Sequence, residues 1–344
     1  MDSSLKAVNT KSNILDIFRI VATLQVFLGH IATHFKFDNS ITQWIYFVRG
    51  VPILFVLCGF LAAMSLGNKS IKKWYFSRAV RILPAFWAVI IINSIIIFIF
   101  YGLPNLKDGL LYGATQMFGL NFYTGDWLRA YGVGTPNGVL WTIPVQIEFF
   151  ILVPLLNKLL KNRSLKFGLG VVGVLALLSI VIHRLNGVLP TIISKLIEVT
   201  VLPYLYFLVL GMVGWYHKDK LISNLRKFKW WILAAYVIWK LFEMFTPYTQ
   251  ILDGVLYNVV TTLLMGMVVL GFGFTASWRA PMDITYGFYL YHMVFINIAL
   301  EFFGPLTLNN AALSIIVIFV LTVVASIASQ KLIENPAAKL FSKK

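Results

Sequence analysis

Apolar residues gather along the whole chain in runs of about 20, separated by short polar segments. A helix of that length crosses the hydrocarbon core of a bilayer, which is roughly 30 Å thick. The pattern predicts an all-α, polytopic membrane protein with ten transmembrane helices. The predicted spans are 14–33, 44–66, 82–103, 139–160, 167–183, 199–216, 230–245, 252–274, 284–302 and 311–329.

The polar segments between these spans predict the orientation. The stretch 69–84, KSIKKWYFSRAVRILP, places five cations between two apolar runs. In the ten-span arrangement, about three-quarters of the Lys and Arg residues fall on one side, and cytoplasmic loops are the ones that collect positive charge. Both termini are therefore predicted to be cytoplasmic. The longest non-apolar segment, 104–138, should lie outside or partly re-enter the membrane.

The composition and charge of the chain limit the kinds of binding partner that we expect. The chain is 59% hydrophobic and 12% charged, with a mean hydropathy of +0.81, which excludes an ordinary soluble protein. Its net charge of +16 comes from cations at span ends, not from one basic domain, so we expect no nucleic-acid partner. The bilayer itself, with its anionic surface, and a phosphorylated cytoplasmic ligand explain the charge better. A single membrane domain over residues 1–344, without a separate soluble domain, is expected.

Polar side chains at membrane depth are the first candidates for chemistry, because burying them in hydrocarbon is costly. Glu148 and His292 fall near the middle of predicted spans, and His30 lies roughly 16 Å beyond Arg19, past the middle of the hydrocarbon core, so the three could share one layer. A lone buried histidine is often a packing residue, yet neutral imidazole can also act as a general base. Pro144 is expected to interrupt the helix that carries Glu148 and to free backbone carbonyls.

Arg78 and Arg81 stand three residues apart at the start of the third span. If a helix begins here, this spacing puts both guanidinium groups on one face. Two guanidinium groups at the cytoplasmic end of a membrane helix can each donate paired hydrogen bonds to a phosphate, so they suit a phosphate-bearing ligand. The alternative is that both arginines serve only as topology charges.

The sequence lacks the motifs of several kinds of functional site. The sequence contains no HExxH, CxxC or Walker A motif, and apart from His30 and His34 its five histidines are far apart, so we predict no metal site. A GxSxG elbow for a covalent serine mechanism is also absent.

Five short motifs stand in order along nearly the whole chain. They are Asp16, Arg19, Ala22, Val26 and His30 in the first span; VPILFVLCGFL with Cys58 in the second; Arg78, Arg81 and Pro84 in FSRAVRILPAFW; Trp141 in LWTIPVQIEFFILVP; and Tyr289 and His292 in ITYGFYLYH. These motifs resemble those of the acyltransferase-3 family of integral membrane acyltransferases, in which serine is usual at the position of Cys58. The closing IENP resembles a common Glu-x-Pro ending of the same family.

The resemblance implies a bacterial cell-membrane O-acyltransferase. It implies acyl-CoA, typically acetyl-CoA, as the donor, with Arg78 and Arg81 on its phosphates and no metal. The expected acceptor is a hydroxyl of a cell-surface polysaccharide or glycolipid outside the cytoplasm. His30 would be the general base, or would carry the acyl group itself. Both routes are compatible with the sequence.

One position departs from the family pattern. The usual glutamate falls at Gln146, while Glu148 stands two residues further on, about 200° around a helix. Either Glu148 or Gln146 is therefore expected to orient the imidazole of His30. The alternative from another class is a transporter or flippase, in which His30, Glu148 and His292 form a proton relay.

Overall fold

A computed structural model describes residues 13–67, 69–120, 124–186, 188–246, 254–304 and 308–342. Within these ranges the chain forms helices and no strand. The α-helices are α1 Leu15–His34, α2 Asn39–Ile45, α3 Gly50–Leu66, α4 Ile71–Tyr101, α5 Leu106–Met117, α6 Thr142–Leu160, α7 Leu165–Asn186, α8 Thr191–Glu198, α9 Leu205–Tyr216, α10 Lys218–Lys227, α11 Lys229–Phe245, α12 Gly254–Phe272, α13 Thr285–Phe303, α14 Leu308–Ser329 and α15 Asn335–Ser342.

Among the described residues, six helical stretches are long and apolar enough to cross a membrane, and a pair of helices bent by 49° makes a seventh if it is one span. The six are Leu15–His34, Asn39–Leu66, Ile71–Tyr101, Thr142–Leu160, Leu165–Leu185 and Ala311–Leu340; the bent pair is Thr191–Glu198 with Leu202–Tyr216. The all-α, multi-pass class is thereby confirmed, whereas the count of ten and the cytoplasmic termini stay predictions.

The seventh, eighth and ninth predicted spans correspond to α11, α12 and α13, which fall outside this set. Helix α11 has 17 residues and includes buried Lys240 and Glu243. Helix α13 includes buried His292 and Asn297, polar side chains that lower its hydropathy. The apolar part of α12 runs over Asn258–Phe272, and residues 252 and 253 of the predicted span lie outside the described residues.

Two local predictions change. Helix α4 begins at Ile71, so the basic stretch is helical, although the predicted span started at residue 82. Lys and Arg are good helix formers, and hydropathy detects only the apolar part of a helix. The predicted interruption at Pro144 is wrong: α6 begins at Thr142, so this proline sits in the first helical turn, where its missing N–H costs nothing.

The chain divides into two compact units and passes between them several times. Unit 1 comprises Met1–Gln25, Phe47–Ile71 and Gln146–Pro281, and unit 2 comprises Val26–Tyr46, Lys72–Val145 and Met282–Lys344. Each unit is built from segments far apart in sequence. The prediction of one domain over 1–344 stays a prediction.

Helices α3 and α9 approach very closely in unit 1. A Cβ atom on Gly59 would overlap the carbonyl oxygen of Leu208, and one on Gly211 would overlap the carbonyl oxygen of Val56. Small residues that let two backbones touch are the usual basis of helix association in membranes, where apolar burial alone gives little driving force. These two glycines therefore set the spacing of the α3–α9 pair.

A buried carboxylate joins three segments of unit 1. Glu243 accepts from Lys240 Nζ at 2.7 Å, from Arg49 Nη2 at 2.9 Å and from Thr261 Oγ1 at 3.1 Å. The side chain of Glu243 is only 2% exposed, so its charge depends on these partners. The interaction ties the start of α3 to α11 and α12.

Replacing Gly59 or Gly211 with alanine should destabilise the protein by about 1–3 kcal/mol, because the added methyl group overpacks the α3–α9 contact. Gly173 in α7 is a matched control, since a Cβ atom there meets nothing within 4 Å. Thermal unfolding in detergent measures the effect. Gly59→Ala and Gly211→Ala proteins as stable as Gly173→Ala would contradict the close contact.

Candidate active site

The structure brings His30 of α1 and His292 of α13 together in unit 2. Their ring centres lie 5.4 Å apart and their planes are inclined at 44°. Aromatic rings in contact have centres about 4.5–7 Å apart, so these imidazoles are direct neighbours. The sequence analysis expects both histidines in a similar layer of the membrane, and the tertiary structure brings their rings into contact.

His292 lies in an aromatic enclosure with 0% of its surface exposed. The rings of Phe27, Phe288 and Tyr289 surround it, with centres 6.0–6.4 Å away. Its Nδ1 lies 3.1 Å from the carbonyl oxygen of Phe288. A carbonyl only accepts hydrogen bonds, so Nδ1 carries the proton and Nε2 keeps its lone pair. Among the described residues, Nε2 has no hydrogen-bond partner.

His30 has a second histidine neighbour on its own helix. The ring centres of His30 and His34 lie 5.6 Å apart, and the ring planes are only 8° from parallel. His30 Nδ1 lies 3.4 Å from His34 Nε2. Both rings are half-buried. The two residues are four apart, and this spacing was the sequence signal that could have added His34 to the site.

Tyr289, another residue of the ITYGFYLYH motif, holds the beginning of α6 against α13. Its hydroxyl lies 3.0 Å from Thr142 Oγ1 and can donate to the carbonyl oxygen of Val139 at 3.4 Å. The phenol is 6% exposed. These contacts fix the wall on one side of His292.

Asn297 fixes the segment 133–136 against α13. It is fully buried; its Oδ1 accepts from Val133 N at 3.1 Å, and its Nδ2 donates to the carbonyl oxygens of Thr135 and Pro136 at 3.1 and 2.9 Å. Glycine is required at position 132, where φ is +52° and a Cβ atom would overlap the Asn297 side chain.

Glu301 also holds the neighbouring backbone, at Gly132, against α13. Its carboxylate accepts from Gly132 N at 2.5 Å and from Tyr101 Oη at 3.2 Å. Part of the long polar segment that was predicted between the third and fourth spans is therefore anchored on α13 by side chains. Sequence reasoning missed Asn297 and Glu301, although polar residues inside an apolar run were a usable signal.

Unit 2 also contains a basic cavity of about 930 Å³. Four cations and two carboxylates line it, together with polar and aromatic side chains. The charged residues are Lys72, Lys73, Arg78, Arg81, Asp283 and Glu334, and the others include Ser77, Tyr286, Gln330 and Asn335. Positive charge thus exceeds negative charge in this cavity.

Helix α4 supplies the basic wall. Because the helix already begins at Ile71, Arg78 and Arg81 stand on one face, as the i, i+3 spacing predicts. Arg81 Nη2 forms an ion pair with Asp283 Oδ2 at 3.3 Å, and the Arg81 side chain is 57% exposed. Tyr286 Oη donates to the carbonyl oxygen of Ile82 at 3.0 Å and joins α13 to the same wall.

The opposite wall comes from the end of α14. A π-helical turn, Gln330–Glu334, links α14 to α15. Gln330 Nε2 donates to the carbonyl oxygen of Asp283 at 3.0 Å, and Ser329 Oγ donates to Glu334 Oε1 at 3.0 Å. Glu334 belongs to the IENP motif, for which the sequence analysis predicts no role. The motif thus supplies a lining residue of the basic cavity.

The remaining predicted site residues have structural contacts of their own in unit 1. Asp16 pairs with Arg19 at 3.4 Å and accepts from Ala280 N at 3.2 Å, which ties the start of α1 to the segment before α13. Glu148 Oε2 accepts from Val201 N at 2.8 Å. Gln146 is half-buried on the same helix. Their predicted roles remain predictions.

Trp141, in unit 2, is half-buried immediately before α6. No cluster of three or more His, Cys, Asp or Glu side chains suitable for a metal ion occurs in the described part of the chain.

Residues 12–330 match the acyltransferase domain family, acyltransferase-3. The chain therefore belongs to this family of membrane acyltransferases, and the resemblance read from its motifs is confirmed. It is also similar to nodulation protein 10 of Rhizobium leguminosarum bv. viciae, with 26% identity over 357 residues that cover 95% of this chain and 94% of the relative. No solved structure matches it.

Asn297→Leu should destabilise unit 2, because the N–H of Val133 and the carbonyl of Thr135 would lose their partner at a buried site, whereas the carbonyl of Pro136 keeps Asn93 Nδ2. Each buried group left unpaired costs roughly 1–3 kcal/mol. Thermal unfolding and amide hydrogen exchange at Val133 measure the change. Asn39→Leu, at an exposed position, is the control. Unchanged protection of Val133 would contradict the anchoring role.

Proposed function

We propose that this acyltransferase moves an acyl group, typically acetyl, from cytoplasmic acyl-CoA to a hydroxyl of an extracytoplasmic polysaccharide or glycolipid. It acts as one domain of ten spans over residues 1–344, with both termini in the cytoplasm of a bacterial cell. The observation that supports this most is the presence in unit 2 of both a histidine pair and a basic cavity.

The basic cavity suits the nucleotide part of the donor. Coenzyme A carries a diphosphate and a further phosphate, and guanidinium groups bind phosphate through paired hydrogen bonds. Four cations against two carboxylates leave the cavity positive, and ligand pockets commonly enclose about 300–1,000 Å³. In this assignment Arg78 and Arg81 bind phosphates, with Lys72 and Lys73 adding attraction.

His30 performs the proton transfer in this mechanism. Its imidazole takes the proton of the acceptor hydroxyl as the oxygen attacks the thioester carbonyl. A C–O bond forms, the C–S bond breaks, and the proton passes to the departing thiolate. The two-step route through acyl-His30 uses the same residue. The hypothesis that Glu148 or Gln146 orients His30 is tested separately by Glu148→Gln and Gln146→Leu.

His30→Ala should reduce acyl transfer by at least about 100-fold while leaving donor binding intact, because a general base contributes roughly 10²–10⁴ to the rate. The assay follows label from radioactive acetyl-CoA into a surface glycan extract, with purified protein in bilayers. His217→Ala, which removes an imidazole elsewhere, is the control. Full activity of His30→Ala would reject this role. Proton-driven uptake of a solute without coenzyme A, and no labelled glycan, would favour a transporter.

Arg81→Ala and Arg78→Ala should each weaken acetyl-CoA binding by about 10- to 100-fold, because a hydrogen bond to a charged group contributes roughly 1.5–3 kcal/mol. The loss of acetyl-CoA affinity in each variant should be smaller at high salt, because salt screens the attraction between the guanidinium groups and the phosphates. Calorimetric titration measures both. Arg129→Ala, which removes an exposed cation from unit 2, is the matched control. Equal affinities in all three variants would place the donor elsewhere.

A further inference from the structure

The buried Nε2 of His292 is an unexplained feature of unit 2. Its lone pair is available, since the proton of the ring is on Nδ1 beside the Phe288 carbonyl. A polar atom this deeply buried normally has a hydrogen-bond partner, because desolvation without one is costly. Nε2 has none among the described residues. A donor that reaches Nε2 at some stage of function would explain the arrangement.

Among the described rings that neighbour His292, one can supply that donor. Phe27 and Phe288 have no polar hydrogen, and the hydroxyl of Tyr289 is directed to Thr142 and Val139. His30 is the remaining ring neighbour, with its centre 5.4 Å away. Its Nδ1 faces His34, so Nε2 is the nitrogen left for His292.

We propose that His292, in place of Glu148 or Gln146, is the positioning residue for His30: its Nε2 accepts a hydrogen bond from Nε2–H of His30 when the acceptor hydroxyl is bound. This inference rests on the proposed function. In the structure, His34 occupies Nδ1 of His30 at 3.4 Å. The acceptor hydroxyl takes the place of His34 there, and a small turn of the His30 ring then closes the bond to His292.

The hydrogen bond to His292 determines which nitrogen of His30 takes the proton from the acceptor hydroxyl. With its proton on Nε2 held by His292, His30 presents the lone pair of Nδ1 to the hydroxyl. The O–H bond breaks as the N–H bond forms at Nδ1, and the alkoxide oxygen attacks the thioester. The proton on Nδ1 then passes to the thiolate of coenzyme A. His292 stays neutral throughout and holds the imidazolium of His30 in place.

The tautomers test the proposal without any variant. Solid-state NMR of the full-length protein, labelled with ¹⁵N in histidine and reconstituted in bilayers, distinguishes protonated from bare ring nitrogens. We expect His292 to be protonated at Nδ1 and bare at Nε2. With a glycan acceptor added, His30 should be protonated at Nε2 and bare at Nδ1. A proton on Nε2 of His292 would overturn the proposal.

Activity gives the second test. His292→Leu removes the acceptor at similar volume and should lower kcat by about 10- to 100-fold with little change in KM for acetyl-CoA. His292→Gln keeps an acceptor and should retain most of the activity. Wild-type kcat in His292→Leu, or equal losses in Leu and Gln variants that bind acetyl-CoA normally, would overturn the positioning role. Absence of transfer by wild type, or transfer independent of His30, would instead reject the proposed function.

Discussion

Hydrogen bonding of polar groups away from water is the constraint on which unit 2 depends. Irregular backbone is tolerated at membrane depth only where protein groups bind it. Helix α13 supplies many of these groups: Asn297 and Glu301 hold the segment that begins at Gly132, and Tyr289 holds the start of α6. The same helix carries His292. The helix whose side chains pair with this backbone therefore also holds the imidazole of His292 beside His30. One helix thus contributes both to the stability of unit 2 and to the candidate active site.

Unit 1 meets the same constraint differently. Gly59 and Gly211 let α3 and α9 touch along their backbones, and Glu243 gathers Arg49 and Lys240 into a buried ion pair network. Replacing such a network by apolar residues can be neutral, but removing one partner leaves buried charge uncompensated. Unit 1 thus combines close backbone contact with charged ties between distant segments. The predicted site residues Asp16 and Glu148 also make structural hydrogen bonds there.

Sequence reasoning succeeded where the physics is local. The apolar runs correspond to helices, because a 20-residue apolar segment has one stable form in a bilayer. The i, i+3 spacing of Arg78 and Arg81 placed both on one face because helix geometry is fixed. It failed at helix ends: α4 starts eleven residues before the apolar run, and Pro144 lies in the first turn of a helix instead of breaking one. Hydropathy reports the environment of a residue, whereas caps and helix formers decide where a helix begins.

The sequence by itself determined the family, the helical membrane class, and the presence of His30, His292 and the arginine pair within or beside apolar runs. Only the tertiary structure decided that His30 meets His292, that Nδ1 of His292 faces a carbonyl, and that Glu334 lines the basic cavity. The physical reason is sequence separation. Helical periodicity fixes which face of one helix a residue occupies, but the neighbour of that face, more than 250 residues away here, is chosen by packing and by the pairing of buried polar groups.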